Sequence, residues 1–339
     1  MLFYPKRAFF EPKTLDYPTG QYIYNKLKEL NIPVFIENKS VNFEKDFDNI
    51  QEYYAYAKGS LVVSIKKSMK LDSCKPSADY QFPLVTGCPA SCQYCYLQSN
   101  PNIKPFARVY ANVEEILQNN EKYINQNKPK ITSFELASTS DPLSVEHLTG
   151  SVKKAIEFFA QQEYGRLRLV TKFAYVDTLL DIEHNRHTKI RFSINSKYVI
   201  DKFEFNVSPL MERLEAAQKI YDANYPLGFI IAPIYYYENY KEEYAELLDM
   251  LREKIKNPDN AEITFELIQH RFTTKAMDTI LARFPNTEID FSMENRQQKW
   301  GPYGVYKYVY KKHISTDMKE FIISEIKRRF PKAEIEYFT

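Results

Sequence analysis

Residues 131–172, ITSFELASTSDPLSVEHLTGSVKKAIEFFAQQEYGRLRLVTK, contain one complete strand, helix and strand unit. The segments ITSFELAS and RLRLVTK are short and apolar, as strands are, and VEHLTGSVKKAIEFFAQQ between them has the apolar spacing of an amphipathic helix. A connection that contains a helix joins parallel strands. This stretch therefore predicts parallel strands in an α/β fold.

The same alternation continues on both sides of this unit. Four further strand candidates are YQFPLVTG (80–87), KIRFSIN (189–195), LGFIIAPI (227–234) and AEITFELI (261–268). Further helix candidates are VEEILQNNEKYINQN (113–127), SPLMERLEAAQKIYDAN (208–224) and KEEYAELLDMLREKI (241–255). Six such units in series predict a partial (β/α)6 barrel of the TIM type, with a doubly wound sheet as the alternative.

The two ends of the chain depart from this alternation. Residues 1–78 are predicted as an N-terminal extension packed on the barrel, with a helix and a short strand in residues 14–37. Residues 79–339 are predicted as one catalytic domain. Within it, two aromatic and basic arms flank a Gly-Pro-Tyr-Gly turn and predict a β-hairpin at about 290–312, which TDMKEFIISEIKRRF (316–330) follows as a closing amphipathic helix.

Composition constrains the cellular location of the protein more than its chemistry. A hydrophobic fraction of 44% in 339 residues is enough for a large core, and a net charge of +2 neither requires nor excludes nucleic acid. The sequence has no apolar run of the roughly 20 residues that a membrane span requires. The N-terminus, MLFYPKRAFF, does not resemble a secretory signal. We therefore predict a cytoplasmic protein with no membrane partner.

Three of the four cysteines lie within TGCPASCQYCYLQ, residues 86–98. Cys88, Cys92 and Cys95 have the spacing C-x3-C-x2-C, and a reducing cytoplasm favours a metal site over disulfides. Three thiolates in one loop suit a 4Fe-4S cluster with one open iron. The alternative is a zinc site in a nucleic-acid-binding module, with Cys74 as the fourth ligand.

Four longer motifs, the first of which includes the three cysteines, can be compared with known protein families. They are KPSADYQFPLVTGCPASCQYCYLQ (75–98), KPFARVYANVEEIL (104–117), ASTSDPLSVEHLTG (137–150) and KWGPYGVYKYVY (299–310). The cysteine spacing resembles that of the radical S-adenosylmethionine (SAM) enzymes, and the four motifs in order resemble the spore photoproduct lyase family, from about residue 70 to about 312.

The resemblance implies a DNA repair lyase that uses a 5'-deoxyadenosyl radical from SAM to reverse the spore photoproduct, a methylene-bridged thymine dimer, to two thymines. It implies that Cys88, Cys92 and Cys95 ligate a 4Fe-4S cluster. The implied SAM contacts are Tyr96, Ser140, Lys172, Ser193 and the backbone around Ala232. The implied partners are DNA carrying the lesion and an electron donor such as flavodoxin or ferredoxin.

The resemblance also assigns DNA binding to the hairpin. Lesion bases must leave the stack to reach a radical inside a barrel. Tyr303 near the hairpin tip is expected to fill the gap, and Lys299 and Lys307 are expected to hold phosphates. Pro302 stands at the tip, where related proteins can carry a basic residue.

One position departs from the family pattern in a way that matters chemically. Many members have a cysteine just before the TSD triplet, where it returns a hydrogen atom to the substrate radical, and this chain has Ser138 there. Because an alcohol O–H bond is far stronger than a thiol S–H bond, serine cannot replace that donor. We predict that Cys74 is the donor and that Tyr94 and Tyr96 relay the hydrogen atom.

Ser138 and Pro302 leave a second reading open. The chain then keeps the radical SAM scaffold but acts on another nucleic acid or on a peptide.

Overall fold

The computed structural model describes residues 2–38, 41, 43–301 and 304–339. The strands are β1 (Arg7–Phe10), β2 (Val34–Ile36), β3 (Ser60–Ser64), β4 (Asp72–Cys74), β5 (Ala78–Gln81), β6 (Val85–Thr86), β7 (Ala107–Tyr110), β8 (Thr132–Glu135), β9 (Gly165–Thr171), β10 (Thr188–Ile194), β11 (Leu227–Ile234), β12 (Ile263–Gln269), β13 (Arg296–Trp300), β14 (Tyr306–Tyr310) and β15 (Glu334–Phe338). The α-helices are α1 (Pro18–Glu29), α2 (Ile50–Lys58), α3 (Val113–Asn127), α4 (Glu146–Thr149), α5 (Ser151–Ala160), α6 (Lys197–Phe203), α7 (Leu210–Asp222), α8 (Tyr240–Lys254), α9 (Thr274–Arg283) and α10 (Lys312–Arg329).

The largest sheet is the predicted partial barrel. Its strand order is β15-β12-β11-β10-β9-β8-β5-β4, and it is curled into a half-barrel. The strands from β5 to β15 are parallel to their neighbours, and β4 at the edge is antiparallel to β5. The predicted α/β fold and partial TIM-type barrel are confirmed, and each of the six strand candidates overlaps a strand of this sheet.

Successive side chains of the barrel strands point alternately to the apolar core and to the lumen, which is the inside of the half-barrel. Leu167 and Leu169 of β9 are fully buried in the main apolar core, and Arg168 between them is only partly buried. In β10, Ile190 and Phe192 are likewise core residues, whereas Arg191 binds carboxylates of β8 and β12. The strands therefore have an apolar side in the core and a charged side in the lumen.

The structure corrects three details of the sequence prediction. The candidate at 80–87 divides into β5 and β6, because the chain turns out of the barrel near Pro83 and β6 pairs with β7 in a different sheet. The helix candidate at 145–162 divides into α4 and α5 at Gly150, whose φ of 61° is left-handed. The closing helix is followed by β15, which joins the barrel sheet beside β12.

The N-terminal residues supply most of a second sheet. Its order is β2-β1-β3-β7-β6, so three strands precede residue 78 and two come from the segment that carries the cysteine loop. The helix and short strand predicted in residues 14–37 are present as α1 and β2. The division of the chain into an extension (1–78) and a catalytic domain (79–339) remains a prediction.

The predicted hairpin is also present. Strands β13 and β14 pair antiparallel from Arg296 opposite Tyr310 to Trp300 opposite Tyr306. Residues 302 and 303 at its tip lie outside the described residues. Among the helices of the described ranges, none is long and apolar enough to span a membrane.

Candidate active site

The cysteine loop begins directly after β6 rather than after a barrel strand. Cys92 is buried, Cys88 and Cys95 are half-buried, and all three are free thiols. Two backbone hydrogen bonds hold the loop to the end of α6 and the residues after it, from Ser91 N to Phe205 O (2.8 Å) and from Gln93 N to Phe203 O (2.9 Å). The loop is thus fixed against the barrel.

Gly87 sets the direction in which the loop starts. Its φ is 70°, and a Cβ there would lie 2.0 Å from the Phe106 carbonyl oxygen. Its N–H donates to Thr139 O at 2.9 Å, and its carbonyl accepts from Ser140 Oγ at 2.6 Å. The cysteine loop and the TSD triplet are therefore packed together at a point where only glycine fits.

Two basic side chains donate hydrogen bonds to backbone carbonyl groups of the cysteine loop. Lys58 Nζ donates to Cys88 O at 2.6 Å and to Ala90 O at 2.7 Å. Arg283 Nη1 donates to Gln98 O at 2.6 Å. Lys58, Lys104 and Arg283 line one small cavity together with the three cysteines. Thiolates that share a cavity with cations fit the negative charge of an iron–sulfur cluster.

A cluster and a single zinc ion require different arrangements of their ligands. Zinc would need ligands that converge on one point with Zn–S distances of about 2.3 Å. Within the described ranges, no three His, Cys, Asp or Glu side chains converge in that way. A four-iron cluster instead takes each cysteine on a different iron, so its thiols stand further apart. The described residues therefore contain no ready-made zinc site, and metal analysis distinguishes the predicted cluster from the zinc module.

Burial controls the protonation of these thiols. It raises the pKa of Cys88 to about 12, while the nearby Lys58 lowers it. Burial also raises the pKa of Cys92 and Cys95, and the ammonium of Lys172 lowers the pKa of both. Lys172 is therefore close to the cysteine loop, and ligation must displace the thiol protons.

The predicted SAM contacts meet at this end of the barrel. Lys172 directly follows β9, and its Nζ donates to Ser193 Oγ of β10 at 2.7 Å. Ser140 contacts Gly87 as described above. Ala232 lies in β11 where the pairing with β12 shifts register between Ile231 and Ile234.

Tyr96 is the one member of this set with a largely exposed side chain, at 57%. It starts the short 3-10 helix Tyr96–Gln98 directly after Cys95. Partial desolvation raises its pKa, and the neighbouring Cys95, Cys74 and Glu135 raise it further. Tyr96 is therefore a residue of the cysteine loop whose pKa responds to Cys74.

A buried ionic network holds Lys172. Glu204 is 3.8 Å from Lys172 Nζ and 2.6 Å from Arg213 Nη2. The Tyr94 hydroxyl donates a short hydrogen bond to the same carboxylate. Arg213 also donates to Ser193 O at 3.0 Å. Lys172 Nζ thus has a hydrogen bond to Ser193 and a long ion pair to Glu204, and its ammonium can still bind a ligand carboxylate.

Asp141 connects the two halves of this site. Its Oδ2 accepts from Lys172 N at 2.7 Å, and its Oδ1 accepts from Thr171 Oγ1 at 2.9 Å. It is buried, which raises its pKa to about 6 in spite of these hydrogen bonds. Asp141 ties the TSD triplet with Ser140 to the strand end with Lys172.

Cys74 lies at the end of the edge strand β4, paired with Ala78 of β5. It is half-buried, and burial followed by the charge of Glu135 raises its pKa to about 11. Arg191, Arg168 and Glu266 also influence it, which places the thiol beside the charged lumen. Ser138 is half-buried in the turn after β8, three residues beyond Glu135.

The hairpin has two different faces. Trp300 and Tyr306 are exposed and pack edge to face, with ring centroids 4.7 Å apart. Lys299 lies directly opposite Lys307 on the other face. At the base, Arg296 donates to His270 O at 2.8 Å. Tyr303, predicted to enter DNA, lies outside the described residues.

Sequence reasoning missed the residues that support this site. Asp141 was visible within the TSD triplet. Glu135, Arg191 and Glu266 stand inside apolar strand candidates, where a charged residue signals a polar lumen. Glu204 and Arg213 lie in segments without a comparable signal.

Comparisons with known proteins agree over the whole chain. A family model described as spore photoproduct lyase matches residues 3–339. The spore photoproduct lyases of Geobacillus sp. and Bacillus subtilis are each 45% identical over 339 residues, covering 99% of both chains. That of Clostridium acetobutylicum is 42% identical and covers 98% of both chains.

Solved structures give the same result. A spore photoproduct lyase mutant with bound AdoMet and dinucleoside spore photoproduct matches at a TM-score of 0.95 and 44% identity, covering 100% of both chains. A spore photoproduct lyase complexed with the dinucleoside spore photoproduct matches with the same values. Together with the three-cysteine loop and the barrel, these matches show that the chain belongs to the spore photoproduct lyase family.

Proposed function

We propose that this chain is a radical SAM lyase that reverses the spore photoproduct in DNA to two thymines. The proposal rests on family membership over the full length and on one local observation. Lys172, the residue suited to the SAM carboxylate, has its Nζ 5.7 Å from the ring centroid of Tyr94, which lies between Cys92 and Cys95 in the sequence. A cluster and an amino-acid ligand would therefore meet at one end of the barrel.

The cofactors would be held by the residues described above. Cys88, Cys92 and Cys95 would ligate a 4Fe-4S cluster. When bound, the cluster supplies the electron that cleaves SAM to the radical that attacks the lesion. Contacts to SAM would come from Tyr96, Ser140, Lys172, Ser193 and the backbone at Ala232. Lys172 would orient the carboxylate, and the serine hydroxyls would bind polar groups of the ligand.

Cys74 would supply the hydrogen atom that Ser138 cannot. Breaking the Cys74 S–H bond transfers one proton and one electron to the thymine carbon radical, forms a C–H bond and leaves a thiyl radical on Sγ. This donor must be a protonated thiol rather than a thiolate. The raised pKa of Cys74, caused by burial and then by Glu135, keeps the proton in place near neutral pH.

Tyr94 and Tyr96 are the proposed relay: a tyrosine hydroxyl would give its hydrogen atom to the Cys74 thiyl radical, and the resulting tyrosyl radical would take a hydrogen atom from 5'-deoxyadenosine. Tyr96 has the stronger support, because its pKa responds to both Cys74 and Cys95. Tyr94 would act from the buried side, where its hydroxyl is held by Glu204.

DNA would be bound by the hairpin. Lys299 and Lys307 would hold phosphates, and Tyr303 would occupy the gap left by the extruded thymines. The electron would come from a small redox protein such as flavodoxin or ferredoxin, and the cytoplasm is the proposed location.

The test is an anaerobic assay of the reconstituted full chain. The expected result is a brown protein with about four irons per chain that converts a dinucleotide carrying the lesion to two thymines. One zinc and no iron would support the zinc-stapled module instead. SAM cleavage without consumption of the lesion would support the alternative that Ser138 raises, a radical SAM enzyme with another nucleic acid or a peptide as its substrate.

A further inference from the structure

The basic face of the hairpin continues onto the segment that follows β12. Phe272 N donates to Tyr308 O at 3.2 Å, and Tyr308 N donates to Phe272 O at 2.8 Å. This reciprocal pair makes residues 271–272 a second, strand-like neighbour of β14, on the side away from β13. Because alternate residues of a strand point to opposite faces, Arg271 is on the face opposite Phe272.

The register puts three cations on that same face. Lys299 and Lys307 are directly opposite each other across β13 and β14. Arg271 is one position from the Phe272–Tyr308 pair and therefore diagonal to Lys307. The pKa of Lys307 is lowered by its partial burial and then by the charge of Arg271, which confirms that the two side chains are neighbours.

This arrangement costs stability unless an anion is bound. Like charges directly opposite each other in a sheet are destabilising. Over residues 2–38, 41, 43–301 and 304–339, no carboxylate forms an ion pair with Arg271, Lys299 or Lys307. Arg168 and Arg191 in the barrel, by contrast, each have a carboxylate partner.

The opposite face of the hairpin is the one that packs on neighbouring residues. That face carries aromatic rings, with Phe272 stacked on Tyr308 at 5.3 Å between centroids and Arg296 over Tyr310 at 3.7 Å. Its base is fixed by the hydrogen bond from Arg296 to His270 O. The aromatic face therefore fixes the hairpin, and the face with the cations points the other way.

We propose that Arg271, Lys299 and Lys307 form one binding site for the phosphodiester backbone of DNA, with Arg271 as its member nearest the barrel. Arg271 comes two residues after the end of β12, and its neighbour Tyr337 donates to Glu266 in the lumen. The site would guide the strand that carries the lesion from the hairpin to the barrel mouth. This inference rests on the proposed function and adds Arg271 to it.

The test is a salt titration of DNA binding. The cluster-loaded full chain and its Arg271→Gln variant are titrated with a fluorescent, lesion-free duplex at several NaCl concentrations. Loss of one phosphate contact should weaken binding and reduce the slope of log K against log salt concentration by about 1. Arg271→Lys should retain the slope. Lys122→Gln removes an exposed charge from the outer helix α3 and is the matched control.

A second measurement separates this site from the chemistry. Turnover of the dinucleoside lesion, which has no phosphate, should be unchanged by Arg271→Gln. An unchanged salt slope in Arg271→Gln, or an equal loss of turnover on the dinucleoside and on DNA, would overturn the phosphate site. Failure of the unmodified protein to consume the dinucleoside would instead count against the proposed function.

Discussion

Ser77 Oγ donates a hydrogen bond to Glu135 Oε2 at 2.7 Å, which joins the turn after Cys74 to the strand that leads to Ser138. Arg191 Nη1 donates to the same hydroxyl at 3.0 Å and also binds Glu135. One hydrogen-bonded network therefore joins the turn after the proposed donor to the strand before position 138. Replacing Ser77 by alanine removes one hydroxyl from this network and leaves the ion pair between Arg191 and Glu135 in place.

We expect Ser77→Ala to separate SAM cleavage from repair. Arg191 keeps Glu135 and Glu266 as partners, so the fold should persist with a loss of about 1 kcal/mol. The turn that carries Cys74 loses its anchor, so a larger share of the lesion should end as abortive adducts. Product analysis by mass spectrometry measures this share. Ser73→Ala, at an exposed position of the same edge hairpin, should leave it unchanged, and equal shares in both variants would argue against the anchor.

Gly87→Ala should impair loading of the cluster. The added methyl would lie 2.0 Å from Phe106 O, so the start of the cysteine loop must move. We expect fewer than the roughly four irons per chain of the unmodified protein. Gly150→Ala is the matched control, because its φ is also left-handed but the methyl meets nothing within 4 Å. It should cost about 1–2 kcal/mol of stability and no iron. Full iron content in Gly87→Ala would contradict the packing account.

Lys172→Met should weaken SAM binding with little effect on folding. Glu204 retains Arg213 at 2.6 Å, so the buried carboxylate stays paired. We expect the dissociation constant of SAM, measured calorimetrically on the cluster-loaded protein, to rise at least tenfold, or about 1.4 kcal/mol. Lys202→Met changes an exposed lysine of α6 and should have no effect. Similar SAM affinities for the two variants would remove Lys172 from the site.

The pH dependence of Cys74 alkylation tests its environment. Iodoacetamide reacts with the thiolate, and burial followed by Glu135 raises the pKa of Cys74 from 9.0 to about 11. Alkylation of the cluster-loaded protein should be slow at pH 8 and increase up to about pH 11. The unfolded chain loses this proton first, so the contribution of Cys74 to the free energy of unfolding falls across the same interval. A reaction midpoint below pH 9 would contradict this environment.

The sequence was sufficient for the barrel because its strands alternate with helices at regular spacing. It was not sufficient for β15, since a short strand of alternating Glu and apolar residues after the last helix has no partner that local pattern can identify. The second sheet was missed for a related reason. Its five strands come from distant segments, and β6 is only two residues long.

The residues of the candidate site also differ in how far the sequence alone could identify them. The cysteines and the TSD triplet are local motifs and were found directly. The Glu204–Arg213 pair and the Ser77–Glu135 bond join residues 9 and 58 positions apart, and only the folded chain brings them together. Arg271 was missed because its role depends on the register between residues 271–272 and β14.

The most direct test of the central claim compares the products of three proteins on the dinucleotide lesion. The unmodified protein should yield two thymines, Cys74→Ala should cleave SAM and the bridge but yield abortive adducts, and Cys74→Ala with Ser138→Cys should recover thymine. That result would establish Cys74 as the hydrogen donor in place of position 138. Clean repair by Cys74→Ala alone would contradict the account.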